Sequence, residues 1–342
     1  MAILIYSTQS IYTLIYSCLS NYILCINYHH KQNLCTFAPM NNNEISNKAK
    51  SKGLLAHIIA LVVVMIWGGT FVNTRVLIDR GLLPEEIYVL RTLLGYICIW
   101  SISPKKLFCD TLKDELIMVL LGIFGSSLYF LTENYALKLT VANDVSFIVC
   151  TTPLVTVILA LLFLKGIKAS FSLVIGSVLA LLGVALVIFN GHFVLQLNPL
   201  GDILALAAAT SWAIYSLVMK KFASNYSPFF ITRKVFFYGL ITILPIFAVH
   251  PWTFPLEQLF TAEIVFNLFY LGVVASFVCF AAWAWVMTQL GALRASNYIY
   301  FNPVTTVIAS AIVLNERMTP MAYAGSAFIL IGVFVVNKSK NI

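Results

Sequence analysis

Apolar runs of about twenty residues follow one another along nearly the whole chain beyond residue 53, separated by short polar joins. Ten such segments are read, at 54–74, 85–103, 115–137, 141–164, 170–189, 199–220, 229–249, 263–288, 293–314 and 320–337. At a rise of about 1.5 Å per residue each reaches across a hydrocarbon layer near 30 Å, the shortest with little tilt. Gly53, Pro84, Pro104, Pro199, Pro228, Pro251 and Pro320 punctuate the joins. The pattern predicts an all-α polytopic membrane protein with ten transmembrane helices.

The segments carry an internal echo. Residues 120–164 recur in step at 270–314: Leu121 and Gly122 fall on Leu271 and Gly272, Ser126 on Ser276, Ala142 on Ala292, Pro153 on Pro303, and Thr156, Val157, Ile158 on Thr306, Val307, Ile308. About a quarter of the aligned positions match without a gap. Five spans per copy is an odd number, so the second copy enters the bilayer from the opposite side and the expected architecture is two inverted five-helix repeats. The first repeat is read at 53–190 and the second at 199–337, with a short tail at 338–342. Residues 1–52 form a leader. Its first 39 residues alternate Tyr, Ser, Ile and Cys without a basic region, and Met40 reads as the true start of translation, with an interfacial helix or an eleventh span as the rival.

Composition agrees with a bilayer setting. Hydrophobic residues make up 61% of the chain, charged residues 10%, and mean hydropathy is +0.92, against roughly 25% charged residues in a soluble domain. The net charge of +8 is spread between apolar segments with no basic face interleaved with aromatics, which excludes nucleic acid as a partner. It sets orientation instead. Lys48, Lys50, Lys52, Lys105, Lys106, Lys113, Lys165, Lys168, Lys220, Lys221, Arg294, Lys338 and Lys340 gather on one side, against Arg75, Arg80, Lys138 and Arg317 on the other. Both termini are therefore expected on the cytoplasmic side of a multi-pass protein of the cytoplasmic (inner) membrane.

Catalytic chemistry is not legible. The seven cysteines form no CxxC pair, the five histidines have no ligand spacing inside a span, and GxSxG, HExxH, P-loop and GxGxxG motifs are missing from the sequence. No enzyme, metal or cofactor is expected, and a nucleotide-driven pump is excluded.

Several runs carry a resemblance: Trp67-Gly68-Gly69-Thr70-Phe71 in the first span, Tyr135-Ala136-Leu137 closing the third, Pro153-Leu154 in the fourth, and Asn302-Pro303-Val304 leading to Asn315-Glu316-Arg317-Met318-Thr319, then Gly325 and Gly332. By these, residues 54–337 resemble the EamA-type members of the drug/metabolite transporter superfamily. The resemblance implies a ten-helix carrier of two inverted repeats that exports or exchanges small metabolites, often amino acids. Where the second repeat has Glu316, the first has Lys165-Gly166, which weakens any coupling role for that acid.

A carrier needs a polar site at mid-depth between its repeats. Pro153 and Pro303 lie near the centres of spans 4 and 9, and each leaves a carbonyl, Val149 or Ile299, without its helical partner. Such carbonyls belong against protein or water, so both kinks are expected to face the bundle interior. Asn297, Tyr298, Asn302 and Thr305 share one broad face of span 9, and of these Asn297, Tyr298 and Asn302, with Thr152, are the candidate substrate-binding polar groups. Trp67, Trp212, Tyr215 and Trp283 supply candidate aromatic walls. Packing and interhelical hydrogen bonding explain the same residues without a ligand.

Glu133 lies about a turn inside the end of span 3, where a bare carboxylate is costly. Two readings fit it: a fixed ion pair with Arg91 of span 2, or a proton-responsive coupling group. Asp144 is a further coupling candidate, and helix capping alone also accounts for it. The expected partners are a small-molecule substrate, membrane lipid and a coupling proton. An uptake carrier for sugars, nucleotide derivatives or amines, and a non-transporting sensor or assembly subunit, are the alternatives.

Overall fold

The computed structural model describes residues 42–103, 106–140, 142–164, 171–189, 198–222, 225–314 and 320–337. The question of Met40 and the segment Asn315–Thr319 lie outside them. Two units divide at Lys50; the first contributes only the helical residues 42–50, and everything below concerns the second, 51–342.

Among the described residues all regular structure is helical. Helix α1 is Asn42–Asp79 and α2 is Pro84–Ile102. Helix α3 (Leu112–Gly122) passes through a π-helical turn, Ile123–Ser127, into α4 (Leu128–Leu139). Helices α5 (Ala142–Val149) and α6 (Thr152–Phe163) are two halves of one broken rod, followed by α7 (Phe171–Phe189). Then come α8 (Pro199–Phe222), α9 (Pro228–Ile243) and the single turn α10 (Ile246–Val249). Helix α11 (Ala262–Phe269) runs through a second π segment, Tyr270–Val278, into α12 (Cys279–Ser296), which breaks at Gly291 with φ 76°. A 3-10 turn, Asn297–Phe301, leads into α13 (Asn302–Leu314), and α14 is Pro320–Asn337.

Local sequence fixes these boundaries. Pro occupies the first turn of α2, α6 and α9, where its missing N–H would have had no helical partner. Thr111 caps α3 by accepting from the Asp114 N–H, and Ser227 caps α9 by accepting from Phe230. Glu86 reaches back to the Leu83 N–H at 2.9 Å in front of α2.

Six helical runs are long and apolar enough to cross a membrane: 53–79, 112–139, 144–163, 199–219, 228–249 and 262–306. Helices α2, α7 and α14, with 19, 19 and 18 residues, lie outside that set. The distribution of side chains is that of a membrane protein. Arg91, Glu133, Asn134, Asn297 and Asn302 are buried, while Leu162, Phe163, Phe171 and Ile312 are exposed, the reverse of a soluble surface.

Packing between the two copies is reciprocal. In α7 a Cβ on Gly183 would lie 2.6 Å from the Gly325 carbonyl, and one on Gly332 of α14 would lie 2.6 Å from the Gly176 carbonyl. Helices α7 and α14 thus meet through paired glycines seven residues apart, close enough that no side-chain carbon fits between them. A second exchange joins α2 to the second π segment and α9 to the first. Gly95 of α2 faces Gly272 and Ser276, and Gly239 of α9 faces Ser126 while Gly122 faces Tyr238. Gly95 and Gly239 each stand eleven residues after the proline that opens their helix.

Candidate functional site

Four local breaks in helical regularity converge on the interior. The two π turns sit at matching places in the copies, around Ser126 and Ser276, and a wide turn shifts the hydrogen-bond ladder by one residue. Ser276 uses the shift: its hydroxyl donates to the Leu271 carbonyl at 2.7 Å and accepts from Arg91 Nε at 3.2 Å. Ser126 meets the Tyr88 hydroxyl at 2.8 Å. Tyr88 and Arg91 stand one turn apart on α2, so that helix is pinned by both copies. The proline breaks are also closed, the first locally and the second across the copies. The Val149 carbonyl accepts from Thr152 Oγ1 at 2.6 Å, and the Ile299 carbonyl accepts from the Cys150 thiol at 3.3 Å. Pro153 and Pro303 are both buried.

Between these breaks lies a narrow hollow of about 20 Å³, lined by Trp67, Thr70, Phe71, Arg91, Tyr129, Phe130, Glu133, Val149, Thr152, Trp212, Phe280, Ile299 and Asn302. Six of these thirteen residues are aromatic. Trp67 makes an edge contact with Trp212 at 5.3 Å between centroids and is tied to the Ala275 carbonyl by its Nε1–H at 3.0 Å. The Arg91 guanidinium lies 4.0 Å over the Phe130 ring, an arrangement that orients a desolvated cation. Glu133 has the Tyr129 phenol and the Arg91 charge as its near neighbours.

The ion pairs of the described residues are Arg75–Asp79, Arg80–Glu263, Lys106–Asp110, Lys234–Glu115 and His250–Glu85, and Arg91 with Glu133 is not among them. Both line the same hollow without touching. Three further buried polar atoms there have no protein partner: Arg91 Nη1, Trp212 Nε1 and Asn302 Oδ1. Native interiors keep few such groups.

The structure thus brings together Trp67, Trp212, Thr152, Asn302, Arg91 and Glu133 out of the sequence candidates. The others sit elsewhere. Asn297 donates to the Leu293 carbonyl at 2.7 Å, Tyr298 hydrogen-bonds His57, Tyr215 packs behind Trp212 at 4.9 Å, and Trp283 backs Trp67 at 5.0 Å. Asp144 lies in the first turn of α5 beside Thr140 and Asp202. The sequence reading passed over Tyr129, Phe130 and Phe280. The copy alignment signals two of them, since Phe130 falls on Phe280.

Polar clusters join the copies near both ends of α2. At the end holding residues 106–111, Glu115 takes Lys234 and Tyr238 of α9 together with the Cys109 N–H at 2.7 Å. Tyr226 donates to Asp114 at 2.7 Å and accepts from the Asp110 N–H at 3.0 Å. At the other end Glu86 accepts from the Thr253 and Phe254 N–H groups at 2.7 and 3.0 Å. Beside it the buried Glu85 carboxylate meets His250 at 3.2 Å and Tyr135 at 3.0 Å. Each latch joins the first copy to the second.

Comparison with known proteins agrees with this duplicated plan. The EamA-like transporter family matches residues 54–189 and again 199–338. An "Uncharacterized transporter" of Archaeoglobus fulgidus is 24% identical over 289 residues, 83% of this chain and 98% of its own length. A "Probable amino-acid metabolite efflux pump" of Escherichia coli is 25% identical, over 81% of this chain and 93% of its own. A "Probable terminal-alkyne amino-acid exporter" of Streptantibioticus cattleyicolor is 24% identical, over 81% and 92%. A solved structure titled "Crystal structure of protein" superposes with a TM-score of 0.64 at 18% identity, covering 83% of this chain and 96% of that one. With the matched copies starting at 54 and 199, Trp67 and Trp212 stand thirteen residues into each. Phe130/Phe280, Val149/Ile299 and Thr152/Asn302 are equivalent pairs at the offset of 150, and with Trp67 and Trp212 they line one cavity drawn from both copies.

Proposed function

The chain belongs to the EamA-like transporter family, and from there we propose that it is a secondary transporter exporting or exchanging amino acids or similar small metabolites by alternating access. The fold in this reading is ten spans in two inverted repeats, with both termini on the cytoplasmic side of the inner membrane. One observation carries it: a buried cavity framed by equivalent residues of both copies keeps Arg91 Nη1, Trp212 Nε1 and Asn302 Oδ1 without protein partners. Unpaired polar atoms in a lipid-embedded core are costly, and a bound solute or water relieves them.

Movement follows from the packing. The Gly183–Gly325 and Gly176–Gly332 contacts of α7 with α14 make a hinge of close-set backbones, while the Glu115 and Glu85/Glu86 latches tie the copies together at opposite ends of α2. Opening one latch while the other holds exposes the cavity to one side at a time. The names of the Escherichia coli and Streptantibioticus relatives support an amino-acid-like cargo moving outward. Glu133, buried in the cavity wall, is the proposed proton-responsive group.

The test is counterflow into proteoliposomes across amino acids, sugars and amines, with and without an imposed pH gradient. Exchange of amino acids supports the reading; no exchange of any solute moves the weight to a non-transporting membrane protein.

A further inference from the structure

The frame of the cavity repeats across the two copies, but its charges do not. Arg91 and Glu133 both come from the first copy, and in the alignment of 120–164 with 270–314 the place of Glu133 is held by Trp283. Both are essentially buried, with relative exposures of 1% and 2%, as are Trp212 and Asn302 at 4% each. The unpartnered polar atoms carried by the cavity's lining residues, taken with Glu133, divide evenly by chemistry. Arg91 Nη1 and Trp212 Nε1 are donors without an acceptor, and Asn302 Oδ1 is an acceptor without a donor. Glu133 is an acceptor with the Tyr129 hydroxyl beside it and no cation in contact.

Resting on the transporter reading above, we propose that the hollow, widened as one end opens, holds a compact zwitterion lengthwise between these groups, its carboxylate on Arg91 and Trp212 and its ammonium on Glu133 and Asn302. A buried guanidinium and a buried carboxylate that do not touch each other are each stabilised by a counter-charge. A zwitterion supplies both at once and adds no net charge to the membrane interior. A plain carboxylate or a plain amine answers only one side, and a neutral sugar neither. The rings of Trp67 and Phe280 leave an apolar wall for the substrate's side chain. Because the charges lie on one copy, the substrate has one orientation relative to the repeats in spite of the symmetric frame.

The test measures binding apart from flux, as thermal stabilisation of the purified full chain in detergent. Each proteinogenic amino acid is screened, and each responder is compared with the amine lacking its carboxylate and the acid lacking its ammonium. At least one amino acid should stabilise the protein, with its amine and acid binding tenfold or more weaker. Glu133→Gln, which keeps the shape of the side chain, should abolish the preference of amino acid over acid. Arg91→Lys, which keeps the charge and loses the planar fork, should weaken the amino acid tenfold. An acid or amine that stabilises as well as its amino acid overturns the proposal, as does silence from every amino acid. So does an unchanged preference in Glu133→Gln. Counterflow with the same compounds separates the two readings. A zwitterion that binds but is never exchanged sinks the transporter reading alone, whereas exchange of solutes lacking one charge sinks the clamp alone.

Discussion

Arg91 donates through Nε to the hydroxyl of Ser276, 185 residues away, at 3.2 Å. That bond crosses from the first copy to a π turn of the second, while the guanidinium carbon lies 4.0 Å from the Phe130 centroid and Nη1 is buried without a protein partner. Removing the hydroxyl leaves Nε buried without a partner, a loss of about 1–3 kcal/mol. Ser276→Ala should lower the unfolding temperature in detergent, and Ser276→Thr, which keeps a hydroxyl, should recover part of it.

Cys150 closes the break that Pro303 opens, its thiol reaching the Ile299 carbonyl at 3.3 Å. A thiol is a weak donor, so Cys150→Ala should cost about 1 kcal/mol. Cys150→Ser keeps the donor and should lie closer to the natural protein. Thermal unfolding of the two variants side by side checks the order.

Lys234 and Glu115 form a pair with side-chain exposures of 4% and 15%. Lys234→Met strands the carboxylate and should destabilise the protein by about 3–5 kcal/mol. The double change Lys234→Met with Glu115→Gln removes the stranded charge and should recover most of that loss. Equal stability of single and double variants would contradict the latch.

Cys109, in the connection between α2 and α3, has its thiol pushed up to about 12 by burial and by the adjoining Glu115 carboxylate. The raised value favours the neutral thiol, so at pH 8 only about one molecule in ten thousand carries the reactive thiolate. Alkylation of a single-cysteine variant retaining Cys109 should be slow at pH 8 and rise about tenfold per pH unit. Glu115→Gln removes the neighbouring charge and should speed it.

Much of this was written in the chain. The apolar runs, the proline joins and the constant offset between 120–164 and 270–314 carry the membrane character and the duplication, because spacing and hydrophobicity act locally. The kinks at Pro153 and Pro303 were legible for the same reason. Cys150 was not, since its partner Ile299 lies in the other copy and no spacing rule links them. The π turns left no signal in composition, so the pinning of Arg91 by Ser276 was hidden, and with it the separation of Arg91 from Glu133. The four aromatic candidates split into two that line the cavity, Trp67 and Trp212, and two that back them, Tyr215 and Trp283. Burial depth decides between those roles, and a sequence records only residue type.

The central claim is that solute passes through the hollow lined by Thr152 of one copy and Asn302 of the other, and one measurement addresses it most directly. Counterflow is followed in proteoliposomes holding equal amounts of folded natural protein and of Asn302→Leu. The account predicts exchange by the natural protein and loss of at least nine-tenths of it in the variant; equal exchange by both would contradict it.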